Sequence, residues 1–179
     1  TVTETTIGNK DVNAVSYVDP ARLIAVGNGG VTYASSDAGA NFARLSSDRI
    51  ANQFGWLKNS PGGPIGIGSS GTIGRVVNGK WTLGKTLSTA AVIDADFSSA
   101  NKGYVLQGNS LHQTTDNGAT WKPISTGAPS SVSYISAPDD DTALLFGGFG
   151  VLRATNGGAF EKVEHKLVKK LKPAGAHTA

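Results

Sequence analysis

The 179 residues contain no cysteine and no methionine, and they carry a net charge of +3. Without cysteine there is no disulfide framework, no thiol nucleophile and no Cys-ligated zinc or iron–sulfur site. No run of 18 apolar residues exists to span a membrane, and five lysines against two glutamates from Glu161 onward supply the whole charge surplus, so no basic face for nucleic acid is expected.

Read in chain order, the sequence falls into four similar units and a tail. The first, about residues 10–49, opens on Asn13–Val18, turns at Asp19-Pro20, resumes at Leu23–Val26 and has a third run at Val31–Ala34. The second, about 50–89, repeats the plan with Asn52–Leu57, Pro64–Ile67 and Thr72–Val76. The third, about 90–130, has Ala91–Phe97, Tyr104–Leu106 and Ser110–Thr114, and the fourth, about 131–162, has Val132–Ile135, Ala143–Phe146 and Gly150–Ala154. Each unit ends on a strand that carries an aromatic.

Three markers share one period. Aromatics fall at Phe42, Trp81, Trp121 and Phe160, spaced 39, 40 and 39. Glycines fall at Gly27, Gly68, Gly108 and Gly148, spaced 41, 40 and 40. A third column reads Tyr33, Arg75, Gln113 and Arg153, spaced 42, 38 and 40. Short apolar runs bounded by Gly, Asn, Asp and Pro mark antiparallel strands. Four such strands in each of four tandem units make an all-β propeller with four blades in this chain. The basic tail, 163–179, places Val163, Leu167, Val168 and Leu171 either on one face of a short helix ending at Pro173 or on a continuation of the last strand. The start at Thr1 without methionine implies sequence upstream, either a cleaved leader or the rest of a longer protein, and an exported bacterial protein is the expectation.

The turn before the aromatic carries a resemblance. Thr114-Thr-Asp116-Asn-Gly118-Ala-Thr120-Trp121 resembles the Asp-box (BNR) pattern, Ser/Thr-x-Asp-x-Gly-x-Thr-Trp. Ser35-Ser-Asp37-Ala-Gly39-Ala-Asn41-Phe42 is a second copy. Ala154-Thr-Asn156-Gly-Gly158-Ala-Phe160 reads as a third, one residue shorter with Asn in place of Asp, and the second unit keeps only Asn78-Gly-Lys-Trp81. In such a turn the carboxylate caps backbone N–H groups, glycine takes a positive φ, the first hydroxyl bonds across the hairpin and the aromatic packs between sheets. Asp37, Gly39, Phe42, Asp116, Gly118, Trp121, Asn156, Gly158 and Phe160 are therefore assigned to structure. Gly68-Ser-Ser-Gly-Thr-Ile-Gly-Arg75 and Gly147-Gly-Phe-Gly-Val-Leu-Arg153 are most similar to repeats of photosystem II stability/assembly-factor-like propellers. That resemblance implies a non-enzymatic binding or assembly protein with a protein or glycan ligand, and a ring of six to eight blades completed by a second chain or a second copy.

The alternative is half of a carbohydrate-active glycoside hydrolase of the same repeat class. Two carboxylates across a cleft are required for that chemistry. Asp94 and Asp96, two apart on a first strand and hence on one face, are the catalytic candidates, with a polar channel lining as the plainer assignment. A sialidase needs an arginine triad and a Tyr–Glu pair, but the only glutamates are Glu4, Glu161 and Glu164. Arg75, Arg153, Tyr33 and Gln113 are the binding candidates, joined by the aromatics Trp56, Tyr134 and Phe149. No cofactor or metal is expected, apart from a Ca²⁺ option at the loop carboxylates Asp139-Asp140-Asp141. His112, His165 and His177 have no metal-ligand spacing.

Overall fold

The computed structural model describes residues 7, 11–45, 54–77, 80–84, 90–108, 110–128 and 131–164. It contains four four-stranded antiparallel sheets, each a meander in sequence order. The first is β1 (Val12–Tyr17), β2 (Leu23–Gly27), β3 (Thr32–Ser35) and β4 (Ala43–Arg44). The second is β5 (Phe54–Lys58), β6 (Ile65–Gly68), β7 (Ile73–Val77) and β8 (Lys80–Leu83). The third is β9 (Val92–Phe97), β10 (Gly103–Gln107), β11 (Ser110–Thr114) and β12 (Lys122–Ile124). The fourth is β13 (Val132–Asp139), β14 (Thr142–Gly147), β15 (Gly150–Thr155) and β16 (Glu161–Lys162). Successive strands are joined by turns of a few residues, which is why each sheet is a meander without crossovers.

The second strand of each sheet decides the packing. Both faces of β2 and β10 are buried along their whole length, so hydrophobic residues run continuously there rather than alternating. One face of each sheet points to the next sheet (the trailing face) and the other to the preceding one (the leading face). Ile24 and Val26 on the trailing face of the first sheet meet Phe54 and Trp81 of the second. Ile65, Ile67 and Ile73 then meet Ala95, Phe97, Val105 and Trp121 of the third. Tyr104, Leu106 and Leu111 meet Ile135, Ala137, Leu145 and Leu152 of the fourth, with Phe160 at the margin. The apolar cores thus lie between blades, the arrangement of a β-propeller. The periodic aromatics all sit on leading faces, including Phe42, which packs with Ala25, Val31, Tyr33 and Ile7. No described residue of the fourth sheet joins that last cluster, so the four blades form an arc.

The register corrects one of the sequence columns. Ile65 lies opposite Arg75, Tyr104 opposite Gln113 and Leu144 opposite Arg153, so these three share the trailing face. In the first sheet the residue opposite Ile24 is Ala34, and Tyr33 lies opposite Ala25 on the leading face. The 42-residue step from Tyr33 had signalled this: 41 residues separate the matching positions of β2 and β6 and of β3 and β7, and a one-residue slip inverts the face of a strand. The tail assignment, Leu167 to Pro173, falls outside the described residues, as do Glu4, Asn78, His165 and His177. The last described bond to a sheet is Val163 N–H to the Val151 carbonyl, 2.9 Å.

Candidate functional site

The two acidic turns are built alike. Thr114 Oγ1 accepts the Gly118 N–H at 2.8 Å and donates to Asp116 at 2.8 Å. Asp116 in turn accepts the Thr120 N–H at 2.8 Å and the Thr120 hydroxyl at 2.6 Å. In the first sheet Ser35 Oγ accepts from Gly39 at 2.9 Å, and Asp37 accepts the Asn41 N–H at 2.8 Å and its side-chain amide at 2.7 Å. The hydroxyl therefore closes its own turn rather than bridging the hairpin. It is also the buried element: Ser35 and Thr114 are buried while both carboxylates are exposed. Ala38 and Asn117 adopt φ of 56° and 55°, followed by Gly39 and Gly118 at 91° and 75°.

The third turn differs from its sequence alignment. Asn156 has φ 52° and Gly157 φ 70°, and the Asn156 N–H bonds the Asp141 carbonyl as Asn117 bonds that of Asn101. Asn156 thus occupies the place of Asn117, and Gly157 that of Gly118. The missing residue falls on the capping carboxylate, so Asn156 does not replace the aspartate and Gly158 is not the left-handed glycine.

The turn hydrogen bonds act on the carboxyls. The Asn41 backbone and side chain and the Ser35 hydroxyl lower Asp37 to about 2. The Thr120 hydroxyl, with the Thr120 and Ala119 backbone and Thr114, lowers Asp116 to about 2 as well. Because the folded-state values lie below the ordinary 3.8, the charged turns stabilise the fold above about pH 4. That contribution disappears as pH falls through about 2. Thermal melts between pH 6 and 2 should therefore show a falling midpoint at the acid end, and Asp116→Asn should make the curve shallower. Parallel curves for the two proteins would contradict this assignment.

Asp94 and Asp96 face the next blade. Asp94 accepts the Ile135 N–H at 3.0 Å and Asp96 the Ala137 N–H at 2.8 Å, both from β13. Lys58 of the second sheet lies 3.9 and 3.7 Å from the two carboxylates. The pair is thus brought together, but as a clasp between blades in which unpaired backbone donors are satisfied. Lys58 was not singled out in the sequence. Its signal was positional, because register puts it, like Asp96, on the trailing face of a first strand, opposite Ile65 as Asp96 is opposite Tyr104.

The binding candidates separate. Arg75 Nη1 donates to the Asn117 carbonyl, locking the second blade to the turn of the third. Gln113 donates to the Tyr104 hydroxyl at 2.9 Å. Tyr33 is buried, and Arg153 is exposed. Of the aromatics, Trp56 and Phe149 pack on blade cores and Tyr134 stays exposed. Asp139 accepts the Asp141 N–H at 2.9 Å, and Asp140 accepts the Ser98 hydroxyl at 2.6 Å while its carbonyl takes the Lys102 ammonium. Among the described residues no three His, Asp or Glu side chains converge as a metal site would need. Burial holds His112 below its ordinary imidazole range.

A groove of about 820 Å³ opens between the first and second blades. Val18, Leu45, Pro61 and Val76 give it apolar walls, and Arg22 and Asn59 give it polar ones. The Arg22 guanidinium is partly oriented by Asp19, 2.6 Å away, and remains largely exposed. No repeat marker pointed to this groove, because it lies between blades and is lined by strand and turn residues of two units.

No protein-family model and no curated protein matches the sequence. Solved structures do. YCF48 bound to D1 peptide superposes with a TM-score of 0.56 at 13% identity over 85% of this chain and 52% of that one. The C-terminal WD40 domain of Sif2 gives 0.64 at 11% over 83% and 47%, and the GH74 enzyme of Niastella koreensis gives 0.61 at 16% over 89% and 31%. At these identities the likeness is one of fold, and the fold is a β-propeller. The chain spans about half the length of YCF48 and of the Sif2 domain. Among the described residues no helix is long and apolar enough to cross a membrane.

Proposed function

We propose that this chain is a non-enzymatic, partner-binding propeller segment of the Asp-box type, in the photosystem-assembly-factor-like group, and that it takes an extended protein segment in the groove between its first and second blades. The groove carries the reading. Its size and its mainly apolar walls, with a few polar groups at fixed points, suit a peptide ligand. The acidic side chains that a hydrolase would need are engaged instead, Asp94 and Asp96 with the β13 backbone and Asp37 and Asp116 with their own turns. A shared fold with a propeller solved in complex with a peptide supports the same ligand class. The second reading, half of a glycoside hydrolase, has the shared fold with a GH74 enzyme in its favour.

Peptide and glycan arrays run beside a panel of fluorogenic glycosides separate the two. Peptide binding is expected, weakened at least about tenfold by Val18→Asp with Arg22→Glu, since burying a charge and reversing a contact each cost over 1 kcal/mol. Glycoside turnover that Asp94→Asn abolishes would contradict the binding reading and favour the hydrolase.

A further inference from the structure

Both ends of the arc expose apolar side chains that the inner blades bury. Register makes Val15 and Tyr17, opposite Ala25 and Leu23, the counterparts of Ala95 and Phe97, opposite Val105 and Gly103. Ala95 is fully buried and Phe97 is 6% exposed, because the second sheet covers them. Ile135 and Ala137 are buried in the same way against the third sheet. Val15 and Tyr17 are 56% and 60% exposed. The outer part of the same face, Ala25, Val31 and Tyr33, is covered by Ile7, so the inner part is what lies open.

The other end mirrors this. Leu144 and Phe146 of β14 occupy the places of Ile24 and Val26, Ile65 and Ile67, and Tyr104 and Leu106, all six of which are buried. Leu144 and Phe146 are only partly buried, and Tyr134, opposite Phe146, is 65% exposed. Arg153 repeats the position of Arg75, whose guanidinium donates to the Asn117 carbonyl in the turn of the next blade. The matching carbonyl at the other end of the arc belongs to Ala38, whose φ of 56° reproduces the 55° of Asn117.

We propose that two copies of this chain close head-to-tail into one ring, with the trailing face of each fourth blade against the leading face of the other copy's first blade. The apolar packing required repeats the blade-on-blade contact that the chain makes three times internally, and the arginine bond repeats the one that Arg75 makes once, which is what identifies the occupant as a second copy. Tyr134 takes the place of Asp94 and meets Val15 as Asp94 meets Ile135; Ser136 takes the place of Asp96 and meets Tyr17 as Asp96 meets Ala137. Arg153 donates to the partner copy's Ala38 carbonyl. Two arcs suffice, because one arc spans 47% of the C-terminal WD40 domain of Sif2. Two identical heterologous contacts close the ring, and a mismatch in rotation would instead give open polymers. The proposal stands independently of the peptide groove.

The absence of cysteine makes the test clean. Tyr17→Cys and Ser136→Cys are prepared as separate full-length chains, mixed, and treated with a short bis-maleimide. Both sites lie on the open end faces, and circular dichroism checks that each variant folds. The expected product is one covalent pair of chains from the mixture and none from either variant alone. Native mass spectrometry of the unmodified protein should give twice 18.3 kDa, and Arg153→Ala should raise the dimer dissociation constant about tenfold or more, the loss of one charge-assisted hydrogen bond. A monomer at micromolar concentration with no cross-link in the mixture overturns the proposal. So does a ladder of higher multiples, or a chain carrying both cysteines that links only to itself.

Discussion

Trp81→Ala is expected to cost about 3–5 kcal/mol of unfolding free energy, the range for emptying a large aromatic site in a packed core. The indole is 4% exposed and meets the Phe54 ring edge-on, with centroids 5.2 Å apart at 90°. It lies over the backbone of β6 and β7 at Gly66 and Gly74, where a Cβ would come within 2.7 and 2.3 Å of the ring. Two strands thus forgo side chains to admit one tryptophan, and rigid backbone cannot collapse into the space that alanine would leave. Trp81→Phe should cost much less, because the Nε1–H has no acceptor among the described residues and only ring area is lost. Gly74→Ala should be destabilising for the converse reason, overpacking against the same ring. Urea unfolding followed by circular dichroism gives all three values. A loss below about 1 kcal/mol for Trp81→Ala would mean that the first two blades do not share this core.

The fold was legible because its repeat is written redundantly. Aromatics 39 or 40 residues apart mark the same wall of successive blades, and the turn residues before Phe42 and Trp121 fix the hairpins that place them there. What the sequence left hidden was the partner of each polar side chain. Asp94 read as a candidate acid because the face it presents was known but the surface opposite was not. That surface is one period further along: Asp94 reaches Ile135 and Asp96 reaches Ala137, 41 residues on in both cases, and Asn13 reaches Phe54 across the same interval. A polar residue on a trailing face could have been tested against the position one repeat ahead. Tyr33 and Asn156 were misplaced for a different reason. A single-residue slip in the first unit and a single-residue deletion in the fourth leave the spacing nearly intact while moving a side chain to the other face or to another role. The groove between the first two blades left no mark at all, since its walls combine strand residues such as Ile24, Ala34 and Val76 with the turn at 59–64, a juxtaposition that only the packing of the two blades creates.

Replacing both Asp94 and Asp96 by alanine is the second large effect. Each carboxylate satisfies a backbone donor of β13, and the two share Lys58. Removing one acceptor that leaves a shielded N–H unpaired costs about 1–3 kcal/mol. The double variant should lose more than the sum of the single variants, since Lys58 keeps one carboxylate in either single variant and loses both only in the double. Chemical unfolding of the two single variants and the double variant measures this coupling.

These carboxylates stitch one blade to the next, and the function proposed above leaves recognition, not hydrolysis, as the work of the surface. Amide hydrogen exchange at Ile135 and Ala137 tests it most directly. The wild-type protein should protect both amides, and the double alanine variant should lose at least about tenfold of that protection. Amides of β2 and β6 should keep theirs. Unchanged exchange at Ile135 and Ala137, together with a glycoside-cleaving activity that vanishes in the variant, would contradict the account.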